Sequence, residues 1–198
     1  MDKSTDVLLL GTAAVGKSRL LHYLHVAARG VVSKKPMGFK NSEKKPVFIQ
    51  STVGVEVEYI ALGKMWLRGG KQKPLRLREV GSPMIPMWNR YYNDTNSIVY
   101  VVDVSNRGLI AEAASELWKM LDDLNVQKIA VPILFVINKC ESPSTLSRNE
   151  LELLFRLQAI KQTVEHFSVI ETDFGESQEK AVKSGEKVFK WVLETLAK

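Results

Sequence analysis

The residues with the most definite chemistry form a glycine-rich segment near the start of the chain. Gly11-Thr-Ala-Ala-Val-Gly16-Lys17-Ser18 fits the phosphate-binding pattern G-x-x-x-x-G-K-[ST] at every fixed position. The glycines let the backbone wrap closely around phosphate oxygens, and the N–H groups of residues 13–18 then point inward. The pattern predicts that Lys17 reaches the β and γ phosphates of a nucleotide and that Ser18 Oγ ligates Mg²⁺.

The residues on either side supply the context that this phosphate-binding loop (the P-loop, residues 11–18) requires. Asp6–Leu10 is apolar after its first residue and predicts a buried strand, and Lys17–Arg29 predicts a helix with one apolar face. This strand–loop–helix order argues against a glycine-rich turn with an incidental lysine. The predicted phosphate-binding residues are Gly11, Ala13, Ala14, Val15, Gly16, Lys17, Ser18 and Arg19.

The rest of the chain alternates between strand and helix patterns. Strands are predicted at 53–61, 75–80, 96–104, 131–137 and 167–170, and helices at 109–124, from Ser147 through Leu157, and over a final segment carrying Val182, Phe189, Val192 and Leu196. Gly69-Gly70 marks a turn that makes the strands on either side of it a hairpin. The order predicts an α/β fold of three layers, mostly parallel, with ligands at the carboxyl ends of the strands.

Composition narrows the class of protein. The chain has 198 residues, which suits a single domain over 1–198, with a loop insertion at about 30–50. Apolar residues make up 45%, which suits a folded core, and the longest apolar runs, such as Ile98–Val102, are too short to span a bilayer. The single cysteine, Cys140, rules out an internal disulfide framework and fits a cytoplasmic protein.

The net charge of +6 raises the question of an anionic partner. Basic residues cluster in two stretches: Lys34, Lys35, Lys40, Lys44 and Lys45, and then Lys64, Arg68, Lys71, Lys73, Arg76 and Arg78. These stretches are either ordinary solvated loops or contacts for an acidic partner or a membrane surface. The first stretch lacks the regular aromatic residues of a single-strand nucleic-acid platform, so no nucleic-acid partner is predicted.

Several later segments resemble the motifs of small GTPases of the Ras superfamily, and of the Arf type in particular. These segments are Thr52-Val53-Gly54 (the switch I threonine motif), Glu79-Val80-Gly81-Ser82 (D-x-x-G), Trp88-Asn89-Arg90-Tyr91-Tyr92 (switch II), Ile98–Asp103 (a strand ending in an apolar pair and Asp) and Asn138-Lys139-Cys140-Glu141 (N-K-x-D). The chain is similar to Arf and Arf-like proteins over nearly its whole length. Within the family it most resembles the divergent Arf-like sixteen subfamily.

The resemblance implies GTP or GDP and Mg²⁺ as ligands. Thr52 would bind Mg²⁺ through its hydroxyl, and Glu79 would contact the Mg²⁺ ion through its surrounding water. The backbone N–H of Ser82 would sense the γ-phosphate. Asn138 would hold the base and brace the P-loop, while the Lys139 stem would lie against the purine face.

Two further positions are implied as contacts to the guanine base. Glu141 would accept hydrogen bonds from the N1–H and the exocyclic amine, at the position where the family uses Asp. Thr172-Asp173 falls where the last base-contacting loop of the family, usually Ser-Ala, is found.

The main departure concerns turnover of the nucleotide. Pro83 occupies the position of the glutamine that orients the attacking water, and proline has neither an amide side chain nor a backbone N–H. The leading interpretation is an Arf-like molecular switch whose ordered switch loops recruit partners, with very slow GTP hydrolysis because of Pro83. The resemblance implies a role in membrane or ciliary trafficking. The alternatives are a P-loop nucleotide or small-molecule kinase and a scaffold that holds GTP without cycling.

The resemblance also implies the kinds of partner. An exchange factor, an activating protein and an effector are expected, but the sequence does not identify them. The chain itself is expected to be a monomer. Asp2 follows the first methionine where myristoylation needs glycine, so any peripheral contact with a membrane is expected to come from the basic loops or a partner.

Overall fold

The computed structural model describes residues 5–33, 52–62, 74–142, 145–175 and 177–197. The greater part of the predicted basic loop and the predicted turn at Gly69-Gly70 lie outside the described residues. The predicted strand boundaries agree with the structure to within two residues.

The strands are β1 (Asp6–Leu10), β2 (Val55–Ile60), β3 (Leu75–Val80), β4 (Ser97–Asp103), β5 (Ile133–Asn138) and β6 (Phe167–Glu171). The helices are α1 (Lys17–Ser33), α2 (Ile110–Val126), α3 (Arg148–Phe155), α4 (Leu157–Thr163) and α5 (Gln178–Leu196), and 3₁₀ helices cover Ser82–Arg90 and Arg107–Leu109. Helix α1 continues past its predicted end at Arg29 into the segment predicted as loop.

The strands form one six-stranded sheet in the order β2-β3-β1-β4-β5-β6. Only β2 and β3 pair antiparallel, so the predicted mostly parallel α/β sheet with one hairpin is confirmed. Because β1, β3, β4, β5 and β6 are mutually parallel, the loops that follow them meet at one edge of the sheet. The candidate functional residues lie at that edge.

Apolar side chains of β1 alternate between two cores. Val7 and Leu9 pack with α1 and α5 on one face of the sheet, while Leu8 and Leu10 pack with α2 and α3 on the other. This alternation follows from the period of two in a strand and produces the three layers that were predicted.

Close packing of α1 against α5 depends on one glycine. A Cβ at Gly185 of α5 would lie 2.8 Å from Tyr23 Cβ and from Tyr23 O, which is closer than Cβ contacts allow. The approach places α5, and the loop that precedes it, beside the P-loop helix.

Two local predictions were incomplete. The capping box of Ser147 and Glu150 opens α3 as predicted, but the helix ends at Phe155 and a new one, α4, begins at Leu157. Arg156 between them has φ 53°, a left-handed conformation that ends the helix, and its guanidinium lies 5.6 Å from the Trp118 ring centroid.

The 3₁₀ helix Ser82–Arg90 was not predicted as an element. Its Trp88 is buried against Tyr100 in an edge-to-face contact, with ring centroids 6.1 Å apart. A core contact with β4, which a local pattern does not show, therefore fixes this helix against the sheet.

Candidate nucleotide-binding site

The backbone of the P-loop requires glycine at both ends. Gly11 has φ 144° and Gly16 has φ 100°, values that other residues rarely adopt. A Cβ at Gly11 would lie 2.3 Å from Val101 O, and one at Gly16 would lie 2.5 Å from Asn138 Nδ2. The two fixed glycines of the pattern are therefore needed for conformation and for close approach to β4 and β5.

Lys17 is the first residue of α1 and its ammonium group is turned back onto the loop. Nζ donates hydrogen bonds to the carbonyl oxygens of Gly11 and Thr12, both at 2.8 Å, and the residue is only 6% exposed. Burial lowers the pKa of Lys17 to about 8, and the negative charge of Glu79 partly opposes that fall. A weakly solvated ammonium at the amino end of α1 is well suited to binding phosphate.

A carboxylate at the end of β3 joins the P-loop to the segment before β2. Oε1 of Glu79 accepts hydrogen bonds from Ser18 Oγ at 2.8 Å and from Thr52 Oγ1 at 3.1 Å. Glu79 is 2% exposed, and its other oxygen, Oε2, has no hydrogen-bond partner among the described residues. A buried carboxylate oxygen without a partner is expensive, so this atom points to a ligand.

These oxygens fit Mg²⁺. Hydroxyl and carboxylate oxygens are ligand types that Mg²⁺ prefers, and Mg²⁺ commonly takes only one or two protein groups together with phosphate oxygens and waters. Within the described ranges no group of three or more His, Cys, Asp or Glu residues is placed to hold a metal. Ser18, Thr52 and Glu79 therefore provide a partial site that phosphate oxygens would complete.

Gly81 fixes the Thr52 segment against the end of β3. Its N–H donates to Gly54 O at 2.8 Å, and a Cβ at this position would lie 2.1 Å from Thr52 O. Ser82, half-buried, and Pro83, exposed, follow as the first residues of the 3₁₀ helix. The two candidate switch segments therefore meet at one glycine beside the phosphate end of the site.

Asn138, the last residue of β5, connects the P-loop with the loop after β6. Nδ2 donates to Val15 O at 2.8 Å, and Oδ1 accepts from Phe174 N and from Thr172 Oγ1, each at 3.4 Å. The residue is 1% exposed. Both ends of one amide are used, so the position of the P-loop depends on this side chain.

Lys139 and Glu141, which follow Asn138, have partly exposed side chains and form ion pairs. Lys139 has φ 62°, and its ammonium pairs with Asp103 of β4. Glu141 is exposed and pairs with Lys180 of α5. The carboxylate predicted to accept from guanine thus already has a cationic neighbour.

The loop after β6 is fixed by backbone contacts. Thr172 is buried and its N–H donates to Ile137 O at 2.8 Å. The backbone N–H of Asp173 donates to Ser184 Oγ of α5 at 3.0 Å, and Asp173 Oδ1 accepts from Gly175 N at 2.6 Å. The loop is therefore positioned between β5 and α5.

The structure brings most of the predicted site residues to one edge of the sheet. The side chains of Ala13, Ala14 and Arg19 are exposed to solvent. Sequence reasoning missed the roles of Asp103 and Lys180. The position of Asp103 could have been recognised from the sequence, because this residue ends β4 just as Asn138 ends the neighbouring parallel strand β5. No sequence pattern indicates the role of Lys180, since only the packing of α5 brings it near Glu141.

The chain matches one known protein family over nearly its whole length. The model of the ADP-ribosylation factor family matches residues 1–195. The chain belongs to the Arf family. Small GTPases of this family in general bind GTP or GDP with Mg²⁺ and bind regulators and effectors.

Two relatives are similar to a comparable degree. ADP-ribosylation factor-like protein 1 of Saccharomyces cerevisiae is 28% identical over 164 residues, covering 81% of this chain and 74% of the relative. Human ADP-ribosylation factor-like protein 16 is 30% identical over 154 residues, covering 77% of this chain and 68% of the relative. The resemblance to the Arf-like sixteen subfamily thus has only weak support.

Two solved structures share the fold. The Arl6 (BBS3) small GTPase of Trypanosoma brucei, with the nucleotide analogue GppNp bound, gives a TM-score of 0.67 at 20% identity, covering 96% of this chain and 95% of that one. A chain of the signal recognition particle receptor SRβ–GTP/SRX complex of Chaetomium thermophilum gives 0.65 at 18%, covering 96% and 97%. At these identities the likeness concerns the fold alone. No helix in the described part of the chain is long and apolar enough to cross a membrane.

Proposed function

We propose that this Arf-family chain is a molecular switch that binds GTP and Mg²⁺ and recruits a partner when its switch segments are ordered. The observation that carries the proposal is the shared carboxylate of Glu79, which accepts hydrogen bonds from the P-loop residue Ser18 and from Thr52. It couples the segment before β2 to the metal and phosphate end of the site. Ordering of such segments by a third phosphate is a common switching mechanism.

The phosphates are assigned to the P-loop. The backbone N–H groups of residues 13–18 and the amino end of α1 face the phosphate oxygens, and Lys17 supplies a charge-assisted hydrogen bond. Ser18 and Thr52 would ligate Mg²⁺ through their hydroxyl oxygens, and Glu79, which accepts hydrogen bonds from both hydroxyl groups, would help to hold the ion and its waters. Arg19 lies next to Ser18 at the rim of the phosphate site. When bound, Mg²⁺ neutralises charge on the phosphates.

The base is assigned to the other end of the site. Asn138 braces the P-loop while its amide faces the base, and the Lys139 stem covers the purine face. Glu141 accepts two hydrogen bonds from guanine that adenine does not offer, which gives a preference for GTP. Thr172 and Asp173 close the base pocket through the loop after β6.

Hydrolysis by the chain alone is proposed to be very slow. Pro83 is exposed at the start of the 3₁₀ helix that follows Gly81, and it has no group that positions water. An activating protein would have to supply a water-orienting group as well as an arginine. The same residue favours a second candidate function, a scaffold that holds GTP without cycling.

The partner surface is proposed to differ from that of general Arf proteins. Arg78, where the family supplies an aromatic residue, is buried: Nε donates to Asp6 at 2.9 Å, and the guanidinium carbon lies 5.9 Å from the Tyr91 ring centroid. Val57 and Tyr59 of β2 remain exposed beside it. We expect poor binding of general Arf effectors and a separate set of partners in trafficking at membranes.

Exchange of backbone amides tests the switch. Hydrogen exchange should be slower at residues 52–55 and 82–90 in the chain loaded with a non-hydrolysable GTP analogue than in the chain loaded with GDP. Gly81→Ala should remove this difference, because a Cβ there would lie 2.1 Å from Thr52 O. Gly30→Ala is the matched control, since a Cβ at Gly30 meets no atom within 4 Å. Equal exchange in the GDP and GTP forms would favour the scaffold over the switch.

A further inference from the structure

Glu141 differs from the aspartate of its motif in length, and a longer carboxylate needs help to be held in place. Glutamate has one more side-chain torsion than aspartate, so more conformational freedom is lost when its carboxylate binds a base in one orientation. Glu141 is also 53% exposed at its side chain. Its own backbone alone therefore does not fix where the carboxylate points.

Lys180 is the residue that contacts this carboxylate. Its Nζ donates a hydrogen bond to Oε2 of Glu141, and the two residues are separated by 39 positions in sequence. The hydrogen bond to Glu141 and the charge of Glu141 raise the pKa of Lys180, with a smaller contribution from Asp173. Lys180 is thus a cation held directly against the Glu141 carboxylate.

Helix α5 places Lys180 beside the base-binding loop. Ser177 caps the helix by accepting a hydrogen bond from Lys180 N at 3.5 Å. Ser184 lies one helical turn after Lys180 on the same face of α5, and its Oγ accepts a hydrogen bond from Asp173 N at 3.0 Å. Ala181 and Ser184 are buried, so the first turns of α5 cannot rotate away from the loop.

We propose that Lys180 is a specificity-determining residue: its contact with Glu141 holds the longer carboxylate in the orientation that accepts both guanine donors. The proposal rests on the assignment of Glu141 to the base. Lys180 occupies one acceptor position on one oxygen, and a carboxylate has about four. Acceptor positions therefore remain on both oxygens for the base, and the lysine positions the carboxylate without blocking it.

The test measures affinities for GTP, ITP and ATP by competition in the presence of Mg²⁺. ITP keeps the N1–H of guanine but lacks the exocyclic amine, so the ratio of GTP to ITP affinity reports whether both oxygens are correctly aimed. Lys180→Met should lower GTP affinity about twofold to fivefold, the range expected for losing an exposed ion pair. ITP affinity should fall less, so the ratio should fall as well.

Three further variants separate positioning from general effects. Lys183→Met is the matched control: it lies on the same helix, is exposed, and pairs with Glu179 of its own helix. It should leave all affinities unchanged. Lys180→Arg should retain the wild-type ratio. In a Glu141→Asp background Lys180→Met should have little effect, because the shorter side chain no longer depends on the lysine.

The outcomes distinguish this proposal from the proposed function. If the wild type prefers GTP over ATP but Lys180→Met gives the same GTP-to-ITP ratio as Lys183→Met, the positioning role is wrong and the base assignment stands. Tighter GTP binding by Lys180→Met also overturns the proposal, because it would show that the lysine competes with the base. A wild type that binds ATP as well as GTP overturns both.

Discussion

The two ends of the candidate site are built differently. At the phosphate end, Lys17 and Glu79 are 6% and 2% exposed and form hydrogen bonds of 2.8 to 3.1 Å within the site. At the base end, Glu141 and Lys139 have side chains that are 53% and 38% exposed and form ion pairs at the surface. Asn138 lies between the two ends, almost completely buried.

This difference indicates how affinity and selectivity are divided. Charges and hydrogen bonds removed from water interact more strongly than exposed ones, and exposed ion pairs are weakened by salt. We therefore expect the phosphate end to provide most of the nucleotide affinity. The base end should provide a smaller, salt-sensitive preference between bases, and Asn138 should affect both.

The largest effect is expected from removing the ammonium of Lys17. Lys17→Met should lower affinity for GTP and GDP by at least about hundredfold, because charge-assisted hydrogen bonds to phosphate are lost. Exposed Lys119 provides the control variant Lys119→Met. Equal GTP affinity of wild type and Lys17→Met by calorimetry would mean that the phosphate site has been placed wrongly.

The same substitution should change how the stability of the nucleotide-free protein depends on pH. Burial lowers the pKa of Lys17 to about 8 from its ordinary 10.5, so the folded state holds this proton less tightly than the unfolded state. The cost is fully present below about pH 8 and disappears as the pH rises to 10.5. Urea unfolding of nucleotide-free protein should therefore show a rise in stability between about pH 8 and pH 10.5 in the wild type, and Lys17→Met should lack this rise.

Asn138→Ala should break the connection between the two ends. It leaves Val15 O without its partner and releases the loop at Thr172 and Phe174, so we expect a loss of stability of about 1–3 kcal/mol. Affinity for GTP and for GDP should fall by roughly tenfold to a hundredfold. Asn125→Ala, at an exposed position of α2, is the control. Unchanged nucleotide affinity in a destabilised variant would restrict Asn138 to a structural role.

Pro83→Gln should have a moderate effect, and on turnover only. Single-turnover hydrolysis by the wild type is expected at or below the order of 10⁻⁴ per second. Glutamine can donate and accept hydrogen bonds, so a rise of up to about tenfold is expected, which is less than a fully positioned catalytic group contributes. Pro86→Gln, exposed on the same 3₁₀ helix, should have no effect. Fast hydrolysis by the wild type, unchanged in Pro83→Gln, would show that another residue orients the water.

A modest effect is expected from shortening Glu79. In Glu79→Asp the carboxylate loses the reach that lets it contact Ser18 and Thr52 together, so nucleotide release in Mg²⁺ should quicken by about threefold to tenfold, as for one lost hydrogen bond. Addition of EDTA should abolish the difference. Glu79→Gln keeps the length and serves as the comparison for charge. A release rate unchanged in Glu79→Asp would exclude the bridging role of Glu79.

The phosphate end was the more predictable of the two from sequence. The P-loop positions lie within eight consecutive residues, and their geometry follows from one local strand–turn–helix unit. The parallel strands were predicted because buried apolar runs are strong local signals. The break at Arg156 and the 3₁₀ helix at Ser82–Arg90 were not, because no local pattern shows the left-handed backbone of Arg156 or the contact of Trp88 with Tyr100.

Contacts at the base end depend more on tertiary packing. Glu141 meets Lys180, and Lys139 meets Asp103, only after α5 and β4 have taken their places. A sequence motif identifies the residue expected to face the base, but not the neighbouring residues that fix the position of its side chain. Those neighbours are where this chain can differ from its relatives while keeping the family fold.

Competition between GTP and ATP on the purified chain tests the central claim most directly. The chain is loaded with a fluorescent GDP in Mg²⁺ and titrated with GTP and with ATP. We expect GTP to displace the probe at a concentration at least about tenfold lower than ATP, since adenine leaves the Glu141 carboxylate without its two donors. Displacement by ATP at the same concentration as GTP would contradict the assignment of this chain as a GTP-binding switch.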